Sequence, residues 1–117
     1  MKSHTDLEQS KKLAEILSID SSDMSWVSNG LGKPFARTIP IKGNPEELCA
    51  CWSLAALLNV MPSEVVDNHF LTLHKEGEEY CCCYENYNGH SIKGCFSDNP
   101  IDACYEMIIK LKERNLI

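Results

Sequence analysis

Ile101, Cys104, Ile108 and Leu111 recur at spacings of 3, 4 and 3, a stripe that predicts an amphipathic helix at the end of the chain. Asn99 is its expected N-cap and Pro100 its first residue, where a missing N–H costs nothing. Asp102 falls in the first turn and Lys110, Lys112 and Arg114 in the last, each at the end of the helix dipole that favours its charge. Near the start of the chain, Leu13, Ile16 and Leu17 lend an apolar edge to a helix over about 6–18, with Thr5-Asp6-Leu7-Glu8 as its capping box. Ser18-Ile19-Asp20-Ser21-Ser22-Asp23 then ends it in side-chain-capped turns. Residues 52–61 are apolar nearly all round, so they predict a second helix buried on most sides and ended by Pro62. Asn44-Pro45-Glu46-Glu47 predicts a single helical turn ahead of it.

The period changes after Pro62. Residues 69–75 and 80–87 read as strands separated by a turn at Glu76-Gly77-Glu78, and Asn88-Gly89 predicts a type I′ turn into a third strand over 90–96. Residues 24–44 lack periodicity and hold Gly30, Gly32, Pro34, Pro40 and Gly43, so they predict a long irregular loop with a short extended piece at 38–41. The order α-loop-α-β-β-β-α predicts an α+β fold: a three-stranded antiparallel meander, one face covered by the second and C-terminal helices. Its expected core is Leu54, Leu57, Leu58, Ile101, Cys104, Ile108 and Leu111, with Leu71 and Leu73 from the sheet. At 117 residues the chain is read as one domain, 1–117, with no internal repeat.

Composition narrows the partners. A formal charge of −6 argues against general nucleic-acid binding, which rests on counterions released by Lys and Arg. The charge is uneven: 24–45 holds no Asp or Glu but carries Lys33, Arg37 and Lys42, whereas 46–117 holds twelve acids against five bases. No apolar run approaches the roughly 18 residues of a membrane span. The polar start predicts a chain without a signal peptide, kept in a cytoplasm.

Seven cysteines, an odd number, include the run Cys81-Cys82-Cys83, which on a strand puts Cys81 and Cys83 on one face and Cys82 on the other. Reduced thiols used as packing are the expectation. With His4, His69, His74 and His90 they suggest zinc, but Cys49-Ala50-Cys51 plus a triple cysteine lacks the doubled ligand pairs of structural zinc sites, so no metal is expected. Cys51 near a helix start has no signature of a catalytic nucleophile around it. Asn29-Gly30-Leu31-Gly32-Lys33-Pro34 lacks the first glycine and the final Ser/Thr of a phosphate loop. Asp102 and Glu106 fall off the apolar stripe and read as solvated surface.

Three segments carry a resemblance. They are Leu7-Glu8-Gln9-Ser10-Lys11-Lys12-Leu13 with Ser22-Asp23-Met24, then Cys51-Trp52-Ser53-Leu54-Ala55-Ala56-Leu57-Leu58-Asn59-Val60-Met61-Pro62, then Asp98-Asn99-Pro100-Ile101-Asp102-Ala103-Cys104-Tyr105-Glu106-Met107. Together they resemble a family of small proteins from prophages and mobile elements of gut Bacteroidetes. The resemblance spans nearly the whole chain and brings genomic context but no catalytic residues. Ala50 is a departure, since relatives often have proline before the Cys-Trp pair.

No motif with a mechanism is present, so no catalytic residue and no cofactor are assigned. The expectation is a non-enzymatic phage or mobile-element protein, in the host cytoplasm, that binds a host protein. The alternative is a protein that sequesters a small anionic defence signal such as a nucleotide, in a pocket that forms between subunits of a homo-oligomer. The candidate binding residues are Trp26, Lys33, Phe35 and Arg37 on the acid-free segment, and Tyr80 and Tyr84 on one strand face. Trp52, heading an apolar helix, is assigned to the core.

Overall fold

A computed structural model describes residues 1–28, 32–38, 47–66, 68–89 and 91–117. Helix α1 spans Leu7–Ile16 and follows the polar strap of residues 1–6. Its N-cap is Asp6, one residue later than the sequence pattern placed it: the Asp6 carboxylate accepts from the Gln9 N–H, and the Gln9 side chain accepts from the Asp6 N–H. The capping box is therefore Asp6/Gln9, because the Thr5 hydroxyl is turned inward and used elsewhere. A 3-10 turn at Ile19–Ser21 follows, capped by the Ser18 hydroxyl.

The α+β class stands, but the architecture is richer than one meander. A first antiparallel sheet is built from β1 (Met24–Val27), β2 (Phe35–Arg37) and β3 (Glu47–Cys51) in the order β2-β1-β3. The predicted long loop thus contains two strands within 24–44, and Glu47 opens a third strand where a helical turn was expected. The expected extended piece at 38–41 and the Asn44-Pro45 turn start fall almost wholly outside the described residues, as do Lys42, Asn29, Gly30 and Leu31. Strands of three to five residues offer too few alternations for a period-2 pattern to register.

Helix α2 (Leu54–Val60) begins at the Ser53 N-cap and ends at Met61 before Pro62. A second antiparallel sheet follows in the order β4-β5-β6-β7: β4 (Glu64–Val65), β5 (His69–Glu76), β6 (Glu79–Glu85) and β7 (Ser91–Ser97). The three meander strands are those expected, and β4 adds a short edge. Between β5 and β6 only Gly77 and Glu78 intervene, with Gly77 at φ 61°, the left-handed conformation a type II′ hairpin needs at its first central position. Between β6 and β7 the turn is not type I′, because Asn88 does not take a positive φ. The connection is longer than two residues, so the Gly89 N–H closes on the Asn86 carbonyl at 3.1 Å and Gly89 takes φ 79°. Helix α3 (Pro100–Glu113) starts as predicted, with the Asn99 side chain accepting from the Asp102 N–H.

Helix α3 packs on β6 and β7, and α2 packs against α3. The core formed there holds Leu57, Ile101, Cys104, Met107, Ile108 and Leu111 with Cys82, Tyr84 and Cys95 from the sheet. Trp52, Leu13 and Met61 complete it, while Leu54, Leu58, Leu71 and Leu73 lie partly buried at its margin. The alternation in β6 is as expected: Cys82 and Tyr84 face α3, and Cys81 and Cys83 face the other way. Among the described residues no helix is long and apolar enough to cross a membrane.

Candidate functional site

Among the described strands, β2 lies at one edge of the first sheet. Its register sets Ala36 opposite Trp26, with Phe35 opposite Val27 and Arg37 opposite Ser25. Phe35 and Arg37 therefore share one face, and Trp26 lies on the other. Phe35 is 47% exposed, and Lys33 and Arg37 are exposed as well. Neither cation makes an ion pair with a described acid. The chain thus presents a short terminal strand carrying one aromatic ring and two positive charges.

Trp26 does not join them. Its indole N–H donates to the Thr5 carbonyl and to the Ser10 hydroxyl, both at 3.2 Å, and the His4 ring lies 5.4 Å from it. These bonds tie the half-buried Trp26 to the start of α1, so it acts as a support for the sheet rather than as a stacking platform.

The two tyrosines also part company. Tyr84 is fully buried under the helices, and its hydroxyl donates to the Pro62 carbonyl at 2.7 Å. Burial pushes its pKa upward, with the Cys82 and Cys104 thiols adding to the rise. Tyr84 is packing, and the expectation that it forms a ligand surface with Tyr80 is corrected: the face they share is the face α3 covers. Tyr80 sits half-buried near the start of β6 with the Lys75 ammonium 5.5 Å from its ring centroid.

On the opposite face of the same sheet lies a cluster that chain-order spacing does not reveal. His74 of β5 pairs directly across from Cys81 of β6, and Cys83 stands two residues further along that face. A ring nitrogen of His74 and the two sulfurs all lie within 4.8 Å of one another. Cys83 donates to the Glu85 carboxylate at 3.3 Å and lies 3.0 Å from the Thr72 hydroxyl. The Nε2 of His74 is 3.0 Å from the Glu76 carboxylate. Burial, opposed by the Thr72 hydroxyl and reinforced by Glu85, pushes the Cys83 thiol up to about 12, and burial raises Cys81 too. Both sulfurs are therefore neutral thiols at pH 7 unless something replaces their protons. Chain-order spacing looks for ligand pairs along the sequence. Here the two-residue turn at Gly77-Glu78 sets the register that brings the histidine opposite the cysteines.

The Asp102 carboxylate is not a solvated surface group. It accepts from Lys2 Nζ, from the Gln9 amide and from the Asn99 amide, each at 2.8 Å. Burial would raise its pKa, but these donors outweigh burial and hold the carboxyl below the usual range. The network borders an open cavity of about 510 Å³ lined by Gln9, Cys95, Phe96, Asp102, Glu106 and Lys110 among others. Two carboxylates in that lining make it a poor receptacle for an anion. All seven cysteines are free thiols, six of them buried and Cys49 partly so. Comparison with family models, with curated proteins and with solved structures found no match.

Proposed function

We propose that this chain is a non-enzymatic binding protein of a phage or other mobile element, and that it engages a host protein through the β2 edge. The observation that carries the reading is the exposure of Phe35, Lys33 and Arg37 together on and beside the terminal strand of the first sheet. A terminal strand offers backbone donors and acceptors to an added strand, and main-chain bonds of that kind supply affinity while side chains supply choice. The two cations select an acidic partner segment, and Arg37 can fork onto a carboxylate. They also keep the edge from pairing with a second copy of itself, since like charges would then be set side by side. The mobile-element context rests on the resemblance carried by the motifs of α1, α2 and α3.

The test is partner capture with the 117-residue chain, followed by reconstitution with the purified partner. Lys33→Glu/Arg37→Glu should weaken binding at least about tenfold with little change in melting temperature, because both side chains are exposed. Wild-type affinity in the double variant would reject the β2 edge as the contact. A nucleotide released from the purified chain on denaturation, with no protein partner captured, would replace this reading with sequestration.

A further inference from the structure

We propose that His74, Cys81 and Cys83 bind a single thiophilic d10 cation of the Zn²⁺ class on the sheet face turned away from α3, with Glu85 completing the set. The site is independent of the β2 edge and uses other residues of a different sheet.

Three features point to a metal rather than to packing. The first is convergence: three ligand atoms from two strands lie within 4.8 Å of one another, against the roughly 3.3–3.8 Å separation expected of ligands around tetrahedral zinc from its bond lengths. Small rotations of two cysteines and one histidine close that gap. The second is the fixed placement of the sulfurs. A Cβ at Gly94, on the neighbouring strand β7, would stand 2.9 Å from the Cys81 sulfur and 3.3 Å from the Cys83 Cβ. Glycine at position 94 thus lets the Cys81 sulfur sit directly against the β7 backbone, which fixes its place beside Cys83.

The third feature is the polar surround. A metal-bound histidine commonly donates its other ring N–H to a carboxylate, which fixes the tautomer. Glu76 lies 3.0 Å from His74 Nε2, and the tautomer that donates to it carries its lone pair on Nδ1. Glu85 already receives the Cys83 S–H, which makes it the first acceptor of that proton and, once the proton has gone, the fourth ligand through an oxygen. Cation binding breaks two S–H bonds and forms two metal–sulfur bonds. Both protons pass to solvent, that of Cys83 by way of Glu85, and no electron is transferred. Two thiolates and an imidazole favour zinc-like ions over magnesium or calcium, which take oxygen ligands.

The probes are Zn²⁺ and, as its coloured analogue, Co²⁺, added to the reduced 117-residue protein. About one equivalent should bind, and the Co²⁺ form should show the sulfur-to-cobalt charge-transfer absorption of thiolate ligation with about two protons released per ion. His74→Ala and Cys83→Ser should each weaken Zn²⁺ binding at least about tenfold, and Gly94→Val should do the same by displacing the Cys81 sulfur. Cys49→Ser, outside the cluster, should bind as wild type. A reduced wild-type protein that gives no charge-transfer band with excess Co²⁺ would overturn the proposal. So would undiminished binding in His74→Ala, whose partly exposed position makes it the deciding variant if Cys83→Ser fails to fold.

Discussion

The Thr5 N–H donates to the Trp52 carbonyl at 2.9 Å, and the Thr5 hydroxyl accepts the Trp52 N–H at 3.2 Å. Both residues are fully buried. The same hydroxyl lies 2.7 Å from that of Ser10, and the Thr5 carbonyl receives the Trp26 indole N–H. One threonine thereby fastens the N-terminal strap, α1 and the first sheet to the junction of β3 and α2.

Thr5→Val keeps the shape but leaves the Trp52 N–H without its acceptor in a buried setting. It should destabilise the protein by about 1–3 kcal/mol in urea denaturation, while Thr5→Ser should retain most of the stability. A Thr5→Val loss below about 0.5 kcal/mol, the range of surface substitutions, would mean the strap is not stabilising.

Leu57 and Ile108 are fully buried in the core between α2, α3 and the second sheet. Truncating either to Ala should cost about 2–5 kcal/mol, the sum of lost transfer energy and a residual cavity. Thermal or chemical melts of the two variants check this directly.

Asp102 and Lys2 make an acid-sensitive clasp between α3 and the N-terminal strap. The Asp102 carboxyl is held below its usual range, so its contribution is complete above roughly pH 4 and is lost as pH falls through the lower folded value. For Lys2, burial lowers the pKa but hydrogen bonds to Asp102 and Asp6 outweigh it, so its share persists through neutrality and is lost only in strong base. Asp102→Asn should remove about 1 kcal/mol at neutral pH and flatten the acid limb of the stability curve. Stability measured from pH 7 down to pH 2 in both proteins provides the comparison, and identical acid limbs would contradict it.

Tyr84→Phe should leave the Pro62 carbonyl without its donor and cost about 1–3 kcal/mol. Partner binding should be unaffected, because the ring is enclosed. Arg37→Ala should show the reverse pattern, stable but weaker in binding. A shared loss of binding in both variants would return Tyr84 to the contact surface.

Cys49, the one cysteine that is only partly buried, should react first with a thiol reagent in native protein, and all seven should react in denaturant without reductant. Fewer than seven in denatured, metal-free protein would indicate oxidation.

Long elements with local grammar were legible from residue order. The α3 stripe with its Asn99-Pro100 start, the apolar α2 and the strands β5 to β7 all carry their period and their punctuation within themselves. Membership of Leu57, Ile101, Cys104, Ile108 and Leu111 in the core follows from those periods. So does the alternation that sends Cys82 toward α3 and Cys81 and Cys83 away from it.

What tertiary structure alone decided is which groups meet. Strands β1 to β3 are too short to announce themselves and exist through pairing with one another. Thr5 reads locally as a cap, yet its hydroxyl finds a better use 47 residues away at Trp52. Tyr84 and Trp26 look like candidate contact rings until packing encloses one and hydrogen bonds tie down the other. Asp102 reads as surface until Lys2 and Gln9 fold back onto it. His74 joins Cys81 and Cys83 only through strand register. In each case the deciding energy is a contact between residues distant in the chain, and no local pattern of hydrophobic and polar positions records it.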